Sequence, residues 1–422
     1  MDPAPGNSVE KNSDSILTAE KLAEALPSMA MATKAIHADD FASSHRAIAP
    51  AMHVAVNYRY DRDPKKLIQG ENGDVLTTFG QPNTPGDSFV YSRYSAPNNK
   101  RFETVLETLF GGGIMTYSTG LAAFHAIMVL LVPQRVFLGD GYHGVHGNID
   151  LMTKLTGVKK LGLDQLDQLQ SGDVIHIETP LNPTGEARNL AYYSAIARKA
   201  GAYLTVDATF APPPLQDPLQ FGADIVLHSG TKYIGGHSDM MCGILVVHPR
   251  RVAEGWIDTL YSERLVMGNV MGNLEGWLGL RSLRTLYLRV TRQSQTAETL
   301  VSWIHQEMQD PSSVVSHVVG DIRHASLQHQ DLEDGWLRQQ MPRGFGPVFA
   351  VWMKTAEQAK VLPSRLCIFQ HATSLGDVES LIEWRAMSDG SCDQRLLRVS
   401  CGLEDPTDLR RDLLRAFQSL VG

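Results

Sequence analysis

Residues 224–243 read DIVLHSGTKYIGGHSDMMCG. The stretch opens on an apolar, β-branched run, Ile225-Val226-Leu227, and passes at once into small and polar residues around one lysine, Lys232. A run of this kind is expected to be a buried strand, and Gly230, Gly235 and Gly236 mark the turn that follows it. A lysine delivered there is badly placed for a solvated surface charge. Ser229 and Thr231 flank it with hydroxyls, which suit an anion held next to the amine.

Working outward, the same apolar pattern recurs at 135–139, 174–178, 203–207 and 243–247. These runs are short, β-branched and apolar on both faces. Helical stretches at 121–131, 190–200 and 215–221 alternate with them, which predicts a mainly parallel sheet covered by helices. Upstream, Phe102, Val105, Leu106 and Leu109 give helical spacing over 98–110; Gly111-Gly112-Gly113 ends that helix, and residues 114–117 lead into Ser118-Thr119-Gly120. Beyond residue 281 the pattern becomes α+β: a helix over 283–304, strand-like pieces at 314–319, 348–352 and 396–400, and a terminal helix over 409–420. Residues 1–30 read as a loose tail with a short helix at 18–26. Residues 31–90, rich in Gly70, Gly73, Gly80, Pro82, Pro85 and Gly86, read as an arm lying on something else, such as another subunit. The expected division is an arm at 1–90, an α/β domain at 91–282 and a smaller α+β domain at 283–422.

Composition narrows the function. The chain of 422 residues is 43% apolar and 20% charged, an ordinary globular balance, and its net charge of -8 argues against nucleic acid as the main partner. No apolar run approaches the roughly 20 residues that span a bilayer. The opening MDPAPGNSVEKNSDS resembles neither a signal nor a transit peptide. Cys242, Cys367, Cys392 and Cys401 are scattered and read as free thiols of a reducing compartment, so a cytoplasmic location is expected.

In an open α/β sheet, ligands sit beyond the carboxyl ends of the strands. The run at 174–178 ends in Glu178 and continues Thr179-Pro180-Leu181-Asn182-Pro183. The run at 203–207 ends in Asp207, and the run at 224–228 leads to Lys232. An acid and an amine at one edge, with phosphate donors nearby, match the needs of pyridoxal 5'-phosphate (PLP). That cofactor requires an amine for its aldehyde, an anion for its pyridine nitrogen, donors for its phosphate and a flat surface over its ring. Lys232 is the expected amine, joined as a Schiff base, and Asp207 the expected anion. The helix beginning at Gly120 and Leu121 offers free N–H groups for the phosphate, helped by the Ser229 and Thr231 hydroxyls. Tyr142 follows a strand and is placed to stack on the ring. Each residue alone has a plainer reading: Asp207 as a helix cap, Tyr142 as packing, Ser118-Thr119-Gly120 as an ordinary turn. The set carries the inference. Ser229-Gly230-Thr231-Lys232 also fits the SxxK pattern of serine-nucleophile enzymes, but the accompanying SDN and KTG elements are missing. His143 and His146, with His125 or His237, match no strong metal spacing, so no metal site is expected.

These residues resemble the cystathionine γ-synthase family, the Cys/Met-metabolism enzymes of PLP fold type I (aspartate-aminotransferase-like). Ser229-x-Thr231-Lys232-Tyr233-x-x-Gly236-His237-x-Asp239 is similar to its cofactor-attachment signature. Tyr91-Ser92-Arg93 resembles the YSR element, whose tyrosine and arginine reach the phosphate bound by a neighbouring subunit. Ser118-Thr119-Gly120-Leu121 resembles the phosphate turn, and Tyr142 the ring-stacking tyrosine. Glu178-Thr179-Pro180-x-Asn182-Pro183 resembles ETPxNP, which places Glu178 and Asn182 beside the cofactor. Val206-Asp207 resembles the pyridine-anchoring VDN. Ser374-Leu375-Gly376 and Arg398-Val399-Ser400-x-Gly402 resemble the elements whose serine and arginine hold the substrate α-carboxylate; Tyr91 is implied there too. The match runs from about residue 33 to the end.

Two motifs depart from the family pattern: Tyr142-His143-Gly144 stands for YGG or YGC, and Val206-Asp207-Ala208-Thr209 for VDNT. Residues 31–40, 48–60 and 91–102 look like fungal members, some of which replace the γ-substituent of O-acetylhomoserine with carbon or nitrogen nucleophiles. The resemblance therefore implies γ-replacement on an O-acylated homoserine, with Lys232 and Tyr142 moving protons. An amino-acid substrate, a nucleophilic co-substrate such as a β-keto acid, secondary metabolism and a dimer of dimers follow. The alternatives are a sulfur nucleophile, a γ-lyase, or a PLP-binding fold without catalysis.

Overall fold

The computed structural model describes residues 18–42, 47–60, 62–66 and 89–421. The N-terminal tail before Thr18 and the turn formers Gly70, Gly73, Gly80, Pro82, Pro85 and Gly86 lie outside the described residues.

A seven-stranded sheet contains β1 (Gly113–Tyr117), β2 (Arg135–Leu138), β3 (Lys159–Gly162), β4 (Val174–Glu178), β5 (Tyr203–Asp207), β6 (Ile225–Ser229) and β7 (Gly243–Val247). Their order is β1-β7-β6-β5-β4-β2-β3. Only β7 runs against its neighbours; β2 to β6 pair in parallel. The central strands are buried along nearly their whole length, because helices cover both faces and neither side meets water. The register sets Glu178 opposite Asp207 and Asp207 opposite Leu227. The strand ends that carry polar residues therefore lie side by side.

A second sheet, in the order β10-β11-β12-β9-β8, contains β8 (Val319–Arg323), β9 (Val348–Met353), β10 (Gln370–His371), β11 (Leu381–Trp384) and β12 (Leu396–Ser400). Its apolar face packs on the helices Leu286–Glu307 and Pro406–Gln418. The first sheet ends at Val247 and the second begins at Val319; we keep 282/283 as the proposed domain boundary.

The long helix Leu286–Glu307 ties both sheets to the site. Arg289, buried in it, donates to the carbonyl oxygens of Tyr233 at 2.8 Å and Ser282 at 3.0 Å. One turn on, Gln293 donates to the Asp377 carbonyl at 2.7 Å. The loops on either side of Lys232 thus hang from one rigid element.

The described part of the arm lies on its own chain. Asp39 pairs with Arg101 and Arg284, and Trp277 donates to the Pro50 carbonyl at 2.9 Å.

Two expected elements are corrected. Residues 314–318 are a short helix, Val314–Val318, and the strand starts only at Val319. Ser313 caps that helix by accepting from Val315 N at 3.2 Å, and Val315 and Val318, three apart, are its buried pair. Residues 215–221 shrink to a 3-10 turn, Pro218–Phe221, since Pro218 lacks the N–H an α-helix running through it would need. The helices His143–Thr156, Trp256–Met267 and Asn273–Leu283 and the strands β3 and β11 were not anticipated.

Candidate active site

The carboxyl ends of β4, β5 and β6 open into a cavity of about 440 Å³. Lys232 reaches it from the turn after β6, where its backbone N–H donates to the Ser229 carbonyl at 3.1 Å. The ε-amine donates to Ser374 Oγ at 2.7 Å. Burial and the nearby Arg398 charge bring the amine down to about 8, within reach of neutrality at moderate pH. The approach of the Ser374 turn needs a glycine: a Cβ on Gly376 would sit 2.9 Å from the Lys232 carbonyl carbon, and its φ is +91°.

Glu178 and Asp207 share one wall. Neither makes an ion pair among the described residues. Asp207 Oδ1 accepts from Thr209 N at 2.9 Å, and burial pushes its carboxyl up. Glu178 accepts from the backbone N–H of Tyr142 at 2.8 Å and of Asn182 at 2.7 Å. Burial first, and then the Asp207 charge, push Glu178 up to about 8. The Arg188 charge offsets this only in part, and neither acid has a direct ion pair among the described residues, so the arrangement is incomplete. Thr209 completes the wall from the side, as its Oγ1 accepts from Ser229 N at 2.8 Å and so clamps the end of β5 to the end of β6.

The opposite end is a helix N-terminus. Helix Gly120–Leu131 starts at Thr119, whose side chain accepts from Ala122 N at 3.0 Å. That leaves the first N–H groups, on Gly120 and Leu121, facing the cavity rim beside Ser229 and Thr231. A Cβ on Gly120 would already be 3.3 Å from Ser229 Cβ, so the helix end and the strand end meet closely.

Arg398, on β12, closes the substrate side. Its guanidinium donates to Asn182 Oδ1 at 3.1 Å, Ser374 O at 2.9 Å and Glu383 Oε2 at 2.6 Å. Burial lowers it to about 10, partly offset by Glu383, so it stays charged.

All the sequence-predicted site residues line this one cavity except Tyr91 and Arg93. Tyr142 lies half-exposed at the mouth, its ring 4.8 Å from that of His143. Tyr91 and Arg93 are exposed elsewhere, with Arg93 donating to the Leu265 carbonyl at 3.1 Å. The cavity also takes in His143, Thr209, Arg385 and Ser388. No single-residue signal marks those four; His143 and Thr209 stood inside quoted motifs, and Arg385 and Ser388 follow a strand that was not expected.

The cavity brings together an amine, a pair of acids with no direct ion-pair partner among the described residues and a helix N-terminus. That is the complement of PLP's aldehyde, protonated pyridine and phosphate, and the residues present fit the group. Fold and site together define a PLP-dependent enzyme of fold type I.

Comparison with known proteins agrees. Residues 32–418 match the family described as Cys/Met metabolism PLP-dependent enzyme. Cystathionine gamma-lyase of Bacillus subtilis is 32% identical over 371 residues, covering 82% of this chain and 93% of that protein. Cystathionine gamma-synthase/O-acetylhomoserine (thiol)-lyase of the same organism is 29% identical over 351 residues, covering 78% and 86%. The crystal structure of metB from Corynebacterium glutamicum superposes with a TM-score of 0.79 at 26% identity, covering 94% of this chain and 99% of that one. The chain belongs to the Cys/Met metabolism PLP-dependent enzyme family.

Proposed function

We propose that the chain catalyses γ-replacement on an O-acylated homoserine, with O-acetyl-L-homoserine as substrate and a carbon or nitrogen nucleophile such as a β-keto acid. The observation that carries this reading is the position of the Lys232 amine. It lies between the carboxylate-binding end, Ser374 and Arg398, and the acid wall of Asp207 and Glu178.

Bound PLP supplies an electron sink for negative charge at Cα and then Cβ. The protein does the rest. Arg398 holds the α-carboxylate, with the Ser374 turn beside it. Lys232 would take the Cα proton and then a Cβ proton, and would return both once the nucleophile has added; Ser374 Oγ keeps its Nζ on the substrate side. Asp207 would pair with the protonated pyridine nitrogen, and Glu178 fixes the Tyr142 and Asn182 loops through their N–H groups. The Cγ–O bond breaks, and acetate leaves with a proton from Lys232 or Tyr142. A Cγ–C or Cγ–N bond then forms as the nucleophile gives up a proton. Exchange of the Cγ–O bond for a Cγ–C or Cγ–N bond is redox-neutral overall, so no oxidant or reductant is needed.

A sulfur nucleophile or simple elimination is the second reading, favoured by the names of the two Bacillus relatives. Incubating the holoenzyme with O-acetyl-L-homoserine plus acetoacetate, ammonia, cysteine, sulfide or nothing separates these by product mass. A new carbon- or nitrogen-linked amino acid supports the first reading; cystathionine, homocysteine or 2-oxobutyrate alone supports the second.

We place the reaction in the cytoplasm and in secondary metabolism, and the active form as a dimer of dimers. Four unpaired cysteines support the location. The exposed Tyr91 and Arg93, remote from the cavity of their own chain, support the oligomer. No helix among the described residues is long and apolar enough to cross a membrane.

A further inference from the structure

The substrate end of the cavity holds two buried arginines. Arg398 is held by three acceptors of the chain. Arg385, in the turn Arg385–Met387 after β11, is 5% exposed and has one hydrogen bond among the described residues, from Nη1 to Glu383 Oε2 at 2.9 Å. Its Nε is buried without a partner. A guanidinium has five donor hydrogens in a fixed fork. Most of those donors, Nε–H among them, have no partner among the described residues; Glu383 Oε1 beside it is a buried acceptor also left without one, so the fork has donors to spare for an acceptor entering from the cavity.

Geometry says what kind of acceptor. Both arginines donate to the same oxygen of Glu383, so two cations share one protein carboxylate oxygen. Both side chains line the cavity, and Ser388, three residues on, lines it beside Arg385. The same turn lies near the Tyr142–His143 mouth: hydrogen bonds from Ser391 hold the Asp389 carboxyl down first, and the charges of Arg385 and His143 add to them. No hydrogen bond or ion pair joins the Arg385 side chain to Asp389 among the described residues; Asp389 Oδ1 accepts from Ser391 N at 3.0 Å and Ser391 Oγ at 2.6 Å. Arg398 lies against Asn182 and Ser374, next to the lysine, whereas the Arg385 side chain is anchored only to Glu383 among the described residues.

We propose that Arg385, with Ser388, binds a second carboxylate, carried by the incoming nucleophile on the atom that attacks Cγ or next to it. The site would thereby select acidic nucleophiles over neutral ones of similar shape. The inference rests on the γ-replacement reading above but is tested apart from it.

The probes are L-2-aminoadipate and L-norvaline, titrated into the holoenzyme and followed by the cofactor absorbance. Neither carries a γ leaving group. They share the α-amino acid end, and aminoadipate adds a carboxylate on Cδ, the position a bound acidic nucleophile would occupy. The wild type is expected to bind aminoadipate about tenfold or more tighter than norvaline, as one charge-assisted, fork-type contact allows. Arg385→Ala is expected to bring the ratio close to one through loss of aminoadipate affinity alone, and Arg385→Lys to retain part of it. A wild-type ratio near one overturns the proposal even if the variants fail to fold. So does a ratio that survives Arg385→Ala, or an equal weakening of both ligands, which would put Arg385 on the α-carboxylate. Acetate release from O-acetyl-L-homoserine, measured in parallel, reports on the γ-replacement reading and does not depend on this ratio.

Discussion

Lys232 and its two acidic neighbours set the chemistry at the scale of single residues. The amine has to be neutral to take a proton from Cα, and its value near 8 places the acid-side fall of kcat at about that pH. A profile flat from pH 6 to 9 would contradict this role. Lys232→Ala should lower kcat by at least about 10²–10⁴-fold, the range lost with a positioned acid–base group. Glu178 makes a separate, thermodynamic prediction for the cofactor-free protein. Its folded-state carboxyl titrates near 8, above the usual 4.5. The fold therefore favours the protonated form. That stabilising contribution is complete below the unfolded value and is lost as pH rises through the folded one. The apoprotein should lose up to a few kcal/mol between about pH 4.5 and 8. Glu178→Gln should flatten that slope, and PLP, by placing a cation beside the acids, should reduce it. Thermal unfolding of apo and holo forms across this range decides the matter; equal slopes for wild type and Glu178→Gln would count against it.

At the scale of elements, three strand ends, one helix start and one long helix place the site. The strand ends were legible because a parallel sheet buried on both faces demands uninterrupted apolar runs, and a polar residue stopping such a run stands out. Asp207 and Glu178 were found that way. Arg385 and Ser388 were not, because β11 is only Leu381–Trp384, with Glu383 inside it, and shows no apolar alternation to mark it. The error at 314–319 has the same root: Val-Val-Ser-His-Val-Val reads as strand by β-branching, and a single serine cap turns all but its last residue into helix. Arg289 carries the prediction at this scale. Arg289→Met removes the donors to the Tyr233 and Ser282 carbonyls and should cost about 1–3 kcal/mol per orphaned group. It should also lower PLP affinity, because the Lys232 turn loses its tether; denaturant unfolding and cofactor titration measure the two effects. A variant with wild-type values for both would show that the helix does not position the turn.

For the whole molecule, the two-sheet architecture and its order along the chain could be read from the change of pattern near residue 281. The packing of the arm could not, since Asp39 finds Arg101 and Arg284 only once distant segments are folded together. Tyr91 and Arg93 belong to this scale. They stand outside the cavity of their own chain, and we expect them to serve the cavity of a second copy. Gel filtration should give at least a dimer, and mixing Arg93→Ala with Lys232→Ala should restore part of the activity through hybrid dimers with one intact site. A fully active monomer would contradict the arrangement.

The account stands or falls on where the cofactor is attached. Borohydride reduction of the holoenzyme, followed by proteolysis and mass spectrometry, should find a pyridoxyl-phosphate adduct on the peptide that contains Lys232 and on no other. An adduct on a different lysine, or none, would contradict it.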